Sequence, residues 1–425
     1  MNILVVGSGG REHALLYRLA KSPSVTRLYA APGNPGTLPL AESLPIAPTD
    51  LSAVVAAAKT CKIDLVVVGP EDPLAMGLVD ALTAAGVPTF GPTASAARIE
   101  ADKWFAKELM KHQAVPTADA RVFTDAKAAE EYVKSRPAPH VLKAAGLAKG
   151  KGVTLCFRVE DALDTIDRVM RRREFGDAGS KLVIEEYLQG PEVSVLALVA
   201  GNDLFVLDPC QDHKAVDDGD TGPMTGGMGA YCPTPVLSES LLAEVERTIL
   251  IPTIDGLKRE GIDYRGVLYA GLMLTAAGPK VLEFNCRFGD PETQPLMLRL
   301  RGDLALALHH ASRGRLQDID LRFDPRPALC VVAASKGYPG SYPKGLPITG
   351  IDAAERLPDT VVFHAGTRLV DGRLVTDGGR VLAVTSLGDT LAAARDRAYA
   401  AMKCIHFDGM HYRTDIAHRA LKLTR

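Results

Sequence analysis

The apolar residues of the first hundred positions fall in short unbroken runs, Asn2–Val6, Thr26–Ala30 and Leu65–Val68, separated by helical patterns, the first over Glu12–Lys21. Continuous apolar strands alternating with helices predict a parallel sheet covered on both faces. Its strand C-termini form the binding edge of such a sheet. Three turns rich in glycine and proline fall there: Gly7-Ser-Gly-Gly10, Pro32-Gly-Asn-Pro-Gly36 and Gly69-Pro-Glu-Asp-Pro73.

From about Lys103 the pattern changes. Ala101–Met110 has apolar residues at helical spacing and is broken by Val115-Pro-Thr117. Residues 120–190 read as a compact α+β unit with strands His140–Lys143, Val153–Cys156 and Leu182–Tyr187, and a helix is predicted around Leu241–Lys258. Two strands, Gly271–Thr275 and Val281–Asn285, flank a turn. After the helical stretch Leu304–Arg313, Pro325 and Pro327 mark a boundary. Beyond it come short strands (Ala328–Ala334, Val361–Ala365, Arg380–Thr385), Asp-Gly turns and a helix through Thr390–Ile405. No internal repeat or low-complexity tract interrupts this order. The expected architecture is an α/β and α+β multidomain chain. It comprises an N-terminal parallel α/β domain (1–103), a central domain (104–325) whose residues from about 120 to 192 form a lid, and a small β-rich C-terminal domain (326–425).

Composition narrows the function classes. A chain of 425 residues with 47% hydrophobic and 24% charged residues folds as a soluble globular protein of several domains. Its formal net charge of −2 gives no general case for binding nucleic acid or an anionic membrane. The seven cysteines contain no C-x-x-C pair, so neither a zinc site nor a disulfide framework is indicated, and a reducing compartment fits. No basic leader precedes the first strand and no apolar run approaches 18 residues. A cytosolic, monomeric protein with no nucleic-acid or membrane partner is expected.

The densest candidate chemistry is Glu283-Phe-Asn-Cys-Arg-Phe-Gly-Asp-Pro-Glu292. Strand alternation puts Glu283 and Asn285 on one face, with Leu282 and Phe284 on the other. A carboxylate and a carboxamide so placed suit a hard cation such as Mg²⁺, completed by substrate phosphates. Arg287 then stands ready to meet an anion at the same mouth. The plain alternative is an edge strand with solvated polar residues. The Gly289 and Pro291 that bracket Asp290 and Glu292 favour a loop held in one shape.

Two other glycine-rich stretches have paired readings. The turn at Gly7 does not fit a dinucleotide fingerprint, because Glu12 stands where the third glycine belongs. With Arg11 and His13 adjacent, the three N-terminal loops can hold one phosphate through backbone N–H groups, or simply make tight turns. Ala144-Ala-Gly-Leu-Ala-Lys-Gly-Lys-Gly152 is either a cationic flap over polyphosphate or a solvated hairpin tip. Its spacing is not that of a Walker loop. Strand Val183–Leu188 and the turn to Glu192 offer main-chain groups, Glu185 and Glu192 to an adenosine. His213, between Asp212 and Lys214, is more often a satisfied structural histidine than a base.

Taken together, Gly9-Gly-Arg-Glu-His-Ala14, Ala31-Pro-Gly-Asn34, Val68-Gly-Pro-Glu71, Ile184-Glu-Glu186, Gln211-Asp-His-Lys214, Thr225-Gly-Gly-Met-Gly-Ala-Tyr231 and Glu283–Glu292 resemble the phosphoribosylamine–glycine ligase family of the ATP-grasp superfamily, end to end. The resemblance implies that ATP, glycine and 5-phosphoribosylamine give glycinamide ribonucleotide, ADP and phosphate, an early step of purine synthesis. It makes Lys103, Lys143, Gly150, Lys151, Gly152, Glu185, Leu188 and Glu192 the nucleotide contacts, and Glu283 and Asn285 the ligands of Mg²⁺ or Mn²⁺. Gly9, Gly10, Arg11, Glu12, Asn34, Pro70 and Glu71 become substrate contacts, and Arg287, Asp290, Asp212 and Lys214 the catalytic candidates. The family's fold adds a pre-ATP-grasp N-terminal domain and a mobile lid. Ala145 replaces an acid of the family's flap pattern, Lys149 adds a charge, and Met224 stands where Asn is usual; these departures bear on the flap contacts rather than the reaction class. Alternative readings are a carboxylate ligase or carboxylase with another acceptor, and a nucleotide sensor that binds ATP without turnover.

Overall fold

The structure, a computed structural model, describes residues 1–148, 152–317 and 319–423. At its N-terminus five parallel strands lie in the spatial order Glu42–Ser43, Arg27–Pro32, Asn2–Gly7, Leu65–Val68, Thr89–Phe90. The apolar runs are buried on both faces, Leu4, Val6, Val66 and Val68 in one core and Ile3, Val5, Leu65 and Val67 in another. Strand order reverses on either side of Asn2–Gly7, so a crevice opens beyond its C-terminal end. The helix Gly10–Leu19 starts at that crevice. Gly33 N–H donates to the Gly7 carbonyl at 3.1 Å and Gly69 N–H to that of Val6 at 3.0 Å, which draws all three loops to one edge.

The helix expected over Ala101–Met110 starts two residues later, after a separate helix. Ala94–Ala101 ends and Lys103–His112 begins at Asp102, whose Oδ1 accepts the N–H groups of Trp104 and Phe105, both at 3.1 Å. A short carboxylate competes for helix donors and starts a new helix rather than continuing the old one. The break fixes two separate directions: Glu100 points from the end of one helix, Lys103 and Lys107 from the first turns of the next.

Next comes a four-stranded antiparallel sheet in the order Ala120–Phe123, Leu182–Glu186, His140–Ala144, Val153–Cys156. It has its own core, including Ala129, Val133, Leu142, Ile166 and Ile184. A second antiparallel sheet, Asp203–Val206, Glu192–Ala200, Arg265–Thr275 and Gly278–Asn285, lies opposite.

In this second sheet the expected alternation fails at one point. Gly271 pairs with Glu283 while Leu272 pairs with Val281, leaving Leu282 as an extra residue in a β-bulge. Phe284 therefore joins Val281 in the main core, whereas Leu282 packs with Ala118, Leu188 and Met273. Leu282 and Phe284 do not share a face; Leu282 turns to the side that carries Glu283 and Asn285.

The last sheet, five antiparallel strands in the order Gln211–Asp212, Gly229–Cys232, Ala328–Ala334, Arg380–Leu387, Thr360–His364, crosses the expected boundary at residue 326. Helix Leu391–Met402 covers it with Ala394, Ala398, Ala401 and Met402. Asp212, Lys214 and the Thr225–Gly229 loop are thereby mounted on the C-terminal unit. Among the described residues no helix is long and apolar enough to cross a membrane.

Candidate active site

The end of strand Gly278–Asn285 is the centre of the site. Arg287 Nη2 donates to Asn285 Oδ1 at 3.1 Å and lies 3.2 Å from Glu100 Oε1, with Glu71 Oε2 3.5 Å from its Nε. A donor on Oδ1 fixes which end of the Asn285 amide is oxygen and leaves that oxygen a second lone pair. Glu283 is kept ionised: burial opposes its charge, but Lys214, Lys143, Lys103 and Arg287 together hold its carboxyl below the usual range. Burial likewise opposes the charge on Arg287, and Glu100 and Glu71 more than offset it. No group of three or more His, Cys, Asp or Glu side chains among the described residues converges as a metal cage. One carboxylate and one carboxamide oxygen instead fit a hard cation whose other positions are filled by water and phosphate.

Beside this strand end lies a slot with a cationic floor. Lys143 Nζ is 2.8 Å from Glu185 Oε2 and donates to the Leu282 carbonyl at 2.9 Å. Lys107, which the sequence reading passed over, is 3.0 Å from Glu185 Oε1 and donates to Thr117 Oγ1 at 2.8 Å and the Ala118 carbonyl at 3.3 Å. Both oxygens of Glu185 thus have a lysine, although a carboxylate can accept about four hydrogen bonds and so still take another donor. Lys103 Nζ donates to the Gly146 carbonyl at 3.0 Å, and its N–H to that of Ala145 at 2.9 Å, tying the helix start to the beginning of the flap. Burial, then Lys143, pushes the Lys103 ammonium below its ordinary range. The Gly152 carbonyl accepts the Ala144 N–H at 2.9 Å; Lys149, Gly150 and Lys151 lie outside the described residues. Leu188, Ala118, Met273 and Leu282 give the slot an apolar wall.

A cluster of acids surrounds Lys214, whose Nζ is 3.4 Å from Glu192 and 3.7 Å from Glu283. Burial opposes its charge, yet Glu192, Asp212 and Glu283 hold the ammonium well above its ordinary range. The opposite applies to Asp212. Burial raises its carboxyl to about 7 against the pull of Lys214, with Glu292, Glu192 and Glu283 adding to the rise. Glu292 is buried and accepts from Tyr269 Oη at 2.5 Å and Ser194 Oγ at 3.2 Å. His213 accepts the Ala417 N–H on Nε2 at 3.2 Å, and burial, then Arg413, lowers it to about 3. It is a neutral structural residue between Asp212 and the charged Lys214.

The N-terminal loops meet the Glu283–Glu292 loop directly. Arg11 N–H donates to Asp290 Oδ2 at 3.3 Å and Arg11 Nη1 to the Phe288 carbonyl at 3.1 Å. Asp290 also accepts from Gln294 at 3.0 Å, with Arg380 Nη1 3.6 Å away. Burial opposes its charge, but Arg380 and Arg11 hold its carboxyl below the usual range. Gly10 permits this contact, since a Cβ there would lie 2.7 Å from Gln294 Nε2. Glu12, expected as a substrate contact, turns inward: Oε2 accepts the Gly9 N–H and Oε1 the Arg11 Nε, both at 2.6 Å. It fills the space beneath Gly7 and Gly69 and shapes the loop. Asn34 is similarly engaged, donating to the Ser8 and His364 carbonyls, both at 2.9 Å. Pro70 immediately precedes the short helix Glu71–Ala75, and Glu71 faces Arg287.

The structure therefore brings Glu283, Asn285, Arg287, Glu71, Lys103, Lys143, Glu185, Glu192 and Lys214 around one cleft, and Asp290 with Gly9, Gly10 and Arg11 at its far wall. Glu100, Lys107, Leu282 and Arg380 were missed. Only Lys107 carried a sequence signal, four residues after Lys103 on the same helical face.

Comparison with known proteins matches three domain profiles in chain order. These are described as phosphoribosylglycinamide synthetase N domain at residues 1–100, ATP-grasp (A) domain at 101–293 and C domain at 328–419. The chain is similar to a phosphoribosylamine–glycine ligase of Rhodopirellula baltica, 52% identical over 99% of this chain and 98% of the relative. One from Ralstonia nicotianae is 49% identical over 99% of this chain and all of the relative. Among solved structures, phosphoribosylamine–glycine ligase from Thermotoga maritima superposes with a TM-score of 0.82 at 33% identity, covering 98% of this chain and 100% of that one. The biotin carboxylase domain of Hydrogenobacter thermophilus 2-oxoglutarate carboxylase, in complex with MgADP, ADP and bicarbonate, shares the fold, with a TM-score of 0.72 at 16% identity over 97% of this chain and 91% of that one.

Proposed function

The chain belongs to the phosphoribosylglycinamide synthetase family, and from that premise we propose that it joins glycine to 5-phosphoribosylamine with ATP, through a glycyl phosphate. It is an ATP-grasp ligase of purine biosynthesis. The observation that carries the site assignment is the convergence of Glu283, Asn285 and Arg287 on one strand end, facing Lys143 and Lys103 on one side and the Gly7–Gly10 edge on the other.

A carboxylate is a poor acyl donor to an amine. A glycine carboxylate oxygen first attacks the γ-phosphorus of ATP and ADP leaves; the phosphoribosylamine nitrogen then attacks the acyl carbon, phosphate leaves and the nitrogen loses a proton. Lys103 and Lys143 neutralise charge on the transferring phosphoryl group, and Arg287 holds the carboxylate in line and then faces the tetrahedral oxyanion. Glu283 and Asn285 would hold a divalent cation such as Mg²⁺, which would supply further positive charge at the terminal phosphates. Glu185, Leu188 and Glu192 hold the adenosine, with Leu282, Met273 and Ala118 as its apolar wall. Asp290 or Asp212 binds the glycine ammonium, with the Lys214 ammonium held between Glu192 and Glu283. Gly9, Gly10, Arg11 and Asn34 shape the phosphate end of the amine substrate. Closure of the lid sheet and the flap keeps water from the acyl phosphate.

The reading includes a monomer in the cytosol; the seven cysteines, all free thiols, accord with the reducing part of that setting. The test is phosphate release with ATP, Mg²⁺, glycine and freshly prepared phosphoribosylamine, compared with each omitted. Release that needs both acceptor and acid supports the proposal. Release with bicarbonate but not with glycine would replace it with a carboxylase.

A further inference from the structure

We infer that Glu100 is a positioning residue for the ligation, acting through Arg287; the inference rests on the functional reading above. Glu100 belongs to helix Ala94–Ala101, outside every motif of the site, yet its carboxylate makes two contacts with the strand end. Oε2 accepts the Cys286 N–H at 2.8 Å and Oε1 lies 3.2 Å from Arg287 Nη2. The same Nη2 donates to Asn285 Oδ1 at 3.1 Å. One carboxylate therefore sets the backbone at Cys286, the guanidinium of Arg287 and, through it, the amide orientation of Asn285.

Glu71 also faces Arg287, but it approaches Nε at 3.5 Å and its side chain is 23% exposed, against 9% for Glu100. Glu100 is the anchor, and Glu71 lies on the substrate side. Arg287 has five N–H donors in a fixed plane; Glu100 Oε1 and Asn285 Oδ1 both face its Nη2 while Nη1 donates to the Phe288 carbonyl at 3.3 Å, so Glu100 is the charged partner that fixes this end of the guanidinium. Without that grip the guanidinium keeps its charge and loses its aim.

Glu100→Gln separates these effects because the residue keeps its size. An amide has one oxygen, so it can accept from Cys286 N–H or from Arg287, but must present an NH₂ donor to the other. We expect kcat/KM for glycine to fall about 10²-fold, as when one donor is removed from a charge-stabilising site, while KM for ATP stays within about twofold of the parent. Glu100→Asp, which retains the charge on a shorter arm, should recover part of the loss. In an Arg287→Ala background, Glu100→Gln should add less than about twofold, because its effect passes through the missing side chain.

An additive loss in the double variant, or a loss shared equally by glycine and ATP, would show Glu100 to be scaffold only. Glycine kinetics unchanged by Glu100→Gln would also overturn the inference. If the parent chain releases no phosphate in response to glycine, the functional reading fails first, and this role with it. Melting curves for all variants, run alongside, identify any loss that comes from unfolding.

Discussion

The Lys107 ammonium lies 3.0 Å from Oε1 of Glu185 in the buried wall of the slot proposed for the nucleotide, opposite the Lys143 ammonium on Oε2. Two lysines on one carboxylate keep Glu185 ionised: burial opposes its charge, yet Lys143 and Lys107 hold its carboxyl below the usual range. Lys107 also donates to the Ala118 carbonyl, so it joins the charged floor of the slot to its apolar wall. Lys107→Met should cost about 3 kcal/mol of stability, the usual result of breaking a buried pair, and weaken ATP binding at least about tenfold. Urea unfolding and calorimetric titration with ATP check the two parts separately. Unchanged ATP affinity in a destabilised variant would make Lys107 a purely structural residue.

Leu282 reaches the slot only because of the bulge opposite Gly271 and Leu272. Its side chain joins Leu188, Met273 and Ala118, while its carbonyl accepts from Lys143. Leu282→Ala removes the side chain and retains the carbonyl. The lost apolar contact, about 1–2 kcal/mol, should raise KM for ATP roughly tenfold and leave KM for glycine unchanged. Initial-rate kinetics with each substrate varied in turn provide the check.

These two residues mark the limit of what was readable in the sequence. Runs such as Ile3–Val6 and Leu65–Val68 predicted the parallel sheet because burial on both faces allows no alternation, and the loops at their ends followed from chain direction alone. Glu283, Asn285 and Arg287 were visible because they are close in sequence. Leu282 was assigned to the wrong face because strict period-2 alternation has no place for an extra residue. Glu100 and Arg380 reach the site from a separate helix and from the C-terminal sheet, contacts created only by tertiary packing. Glu12, in the first turn of helix Gly10–Leu19, and Asn34, in the following loop, both lie at the expected sheet edge, but their side chains turn to backbone groups there, Glu12 accepting the Gly9 N–H and Asn34 donating to the Ser8 carbonyl.

Glu283 carries the only formal negative charge of the two proposed metal ligands, and Lys214 stands 3.7 Å from it. Glu283→Gln preserves shape and removes that charge. The free Mg²⁺ concentration for half-maximal ADP release should rise about tenfold or more. A chelator should stop the parent reaction, and added Mg²⁺ restore it. The variant's Mg²⁺ titration decides the assignment: a midpoint equal to the parent's would remove Glu283 from the metal site.

The contact between the N-terminal helix and the C-terminal sheet predicts acid sensitivity. His13 Nδ1 accepts the His364 N–H at 2.8 Å, so His13 must be neutral, and both rings are buried. Burial, then the neighbouring His364, lowers His13 from 6.5 to about 3, and burial lowers His364 to about 4. In the unfolded chain both titrate near 6.5, so between that value and the folded ones the unfolded state binds protons that the folded state refuses. Their stabilising contribution is complete above pH 6.5 and lost as pH falls towards 4 and 3, at about 1.4 kcal/mol per pH unit for each ring. Asp212, raised to about 7, has the opposite sign: it favours the folded state as pH falls from 7 towards 3.8. The total slope therefore mixes groups, and a single substitution is needed to isolate one. His13→Asn leaves an acceptor near the Nδ1 position and cannot titrate. Urea unfolding of parent and variant at pH 7, 6 and 5 should show the parent losing stability faster below 6.5, the slopes differing by about 1.4 kcal/mol per pH unit. Equal slopes would mean that His13 takes up its proton in the folded chain as it does in the unfolded one, and the His364 N–H would then need another acceptor at low pH.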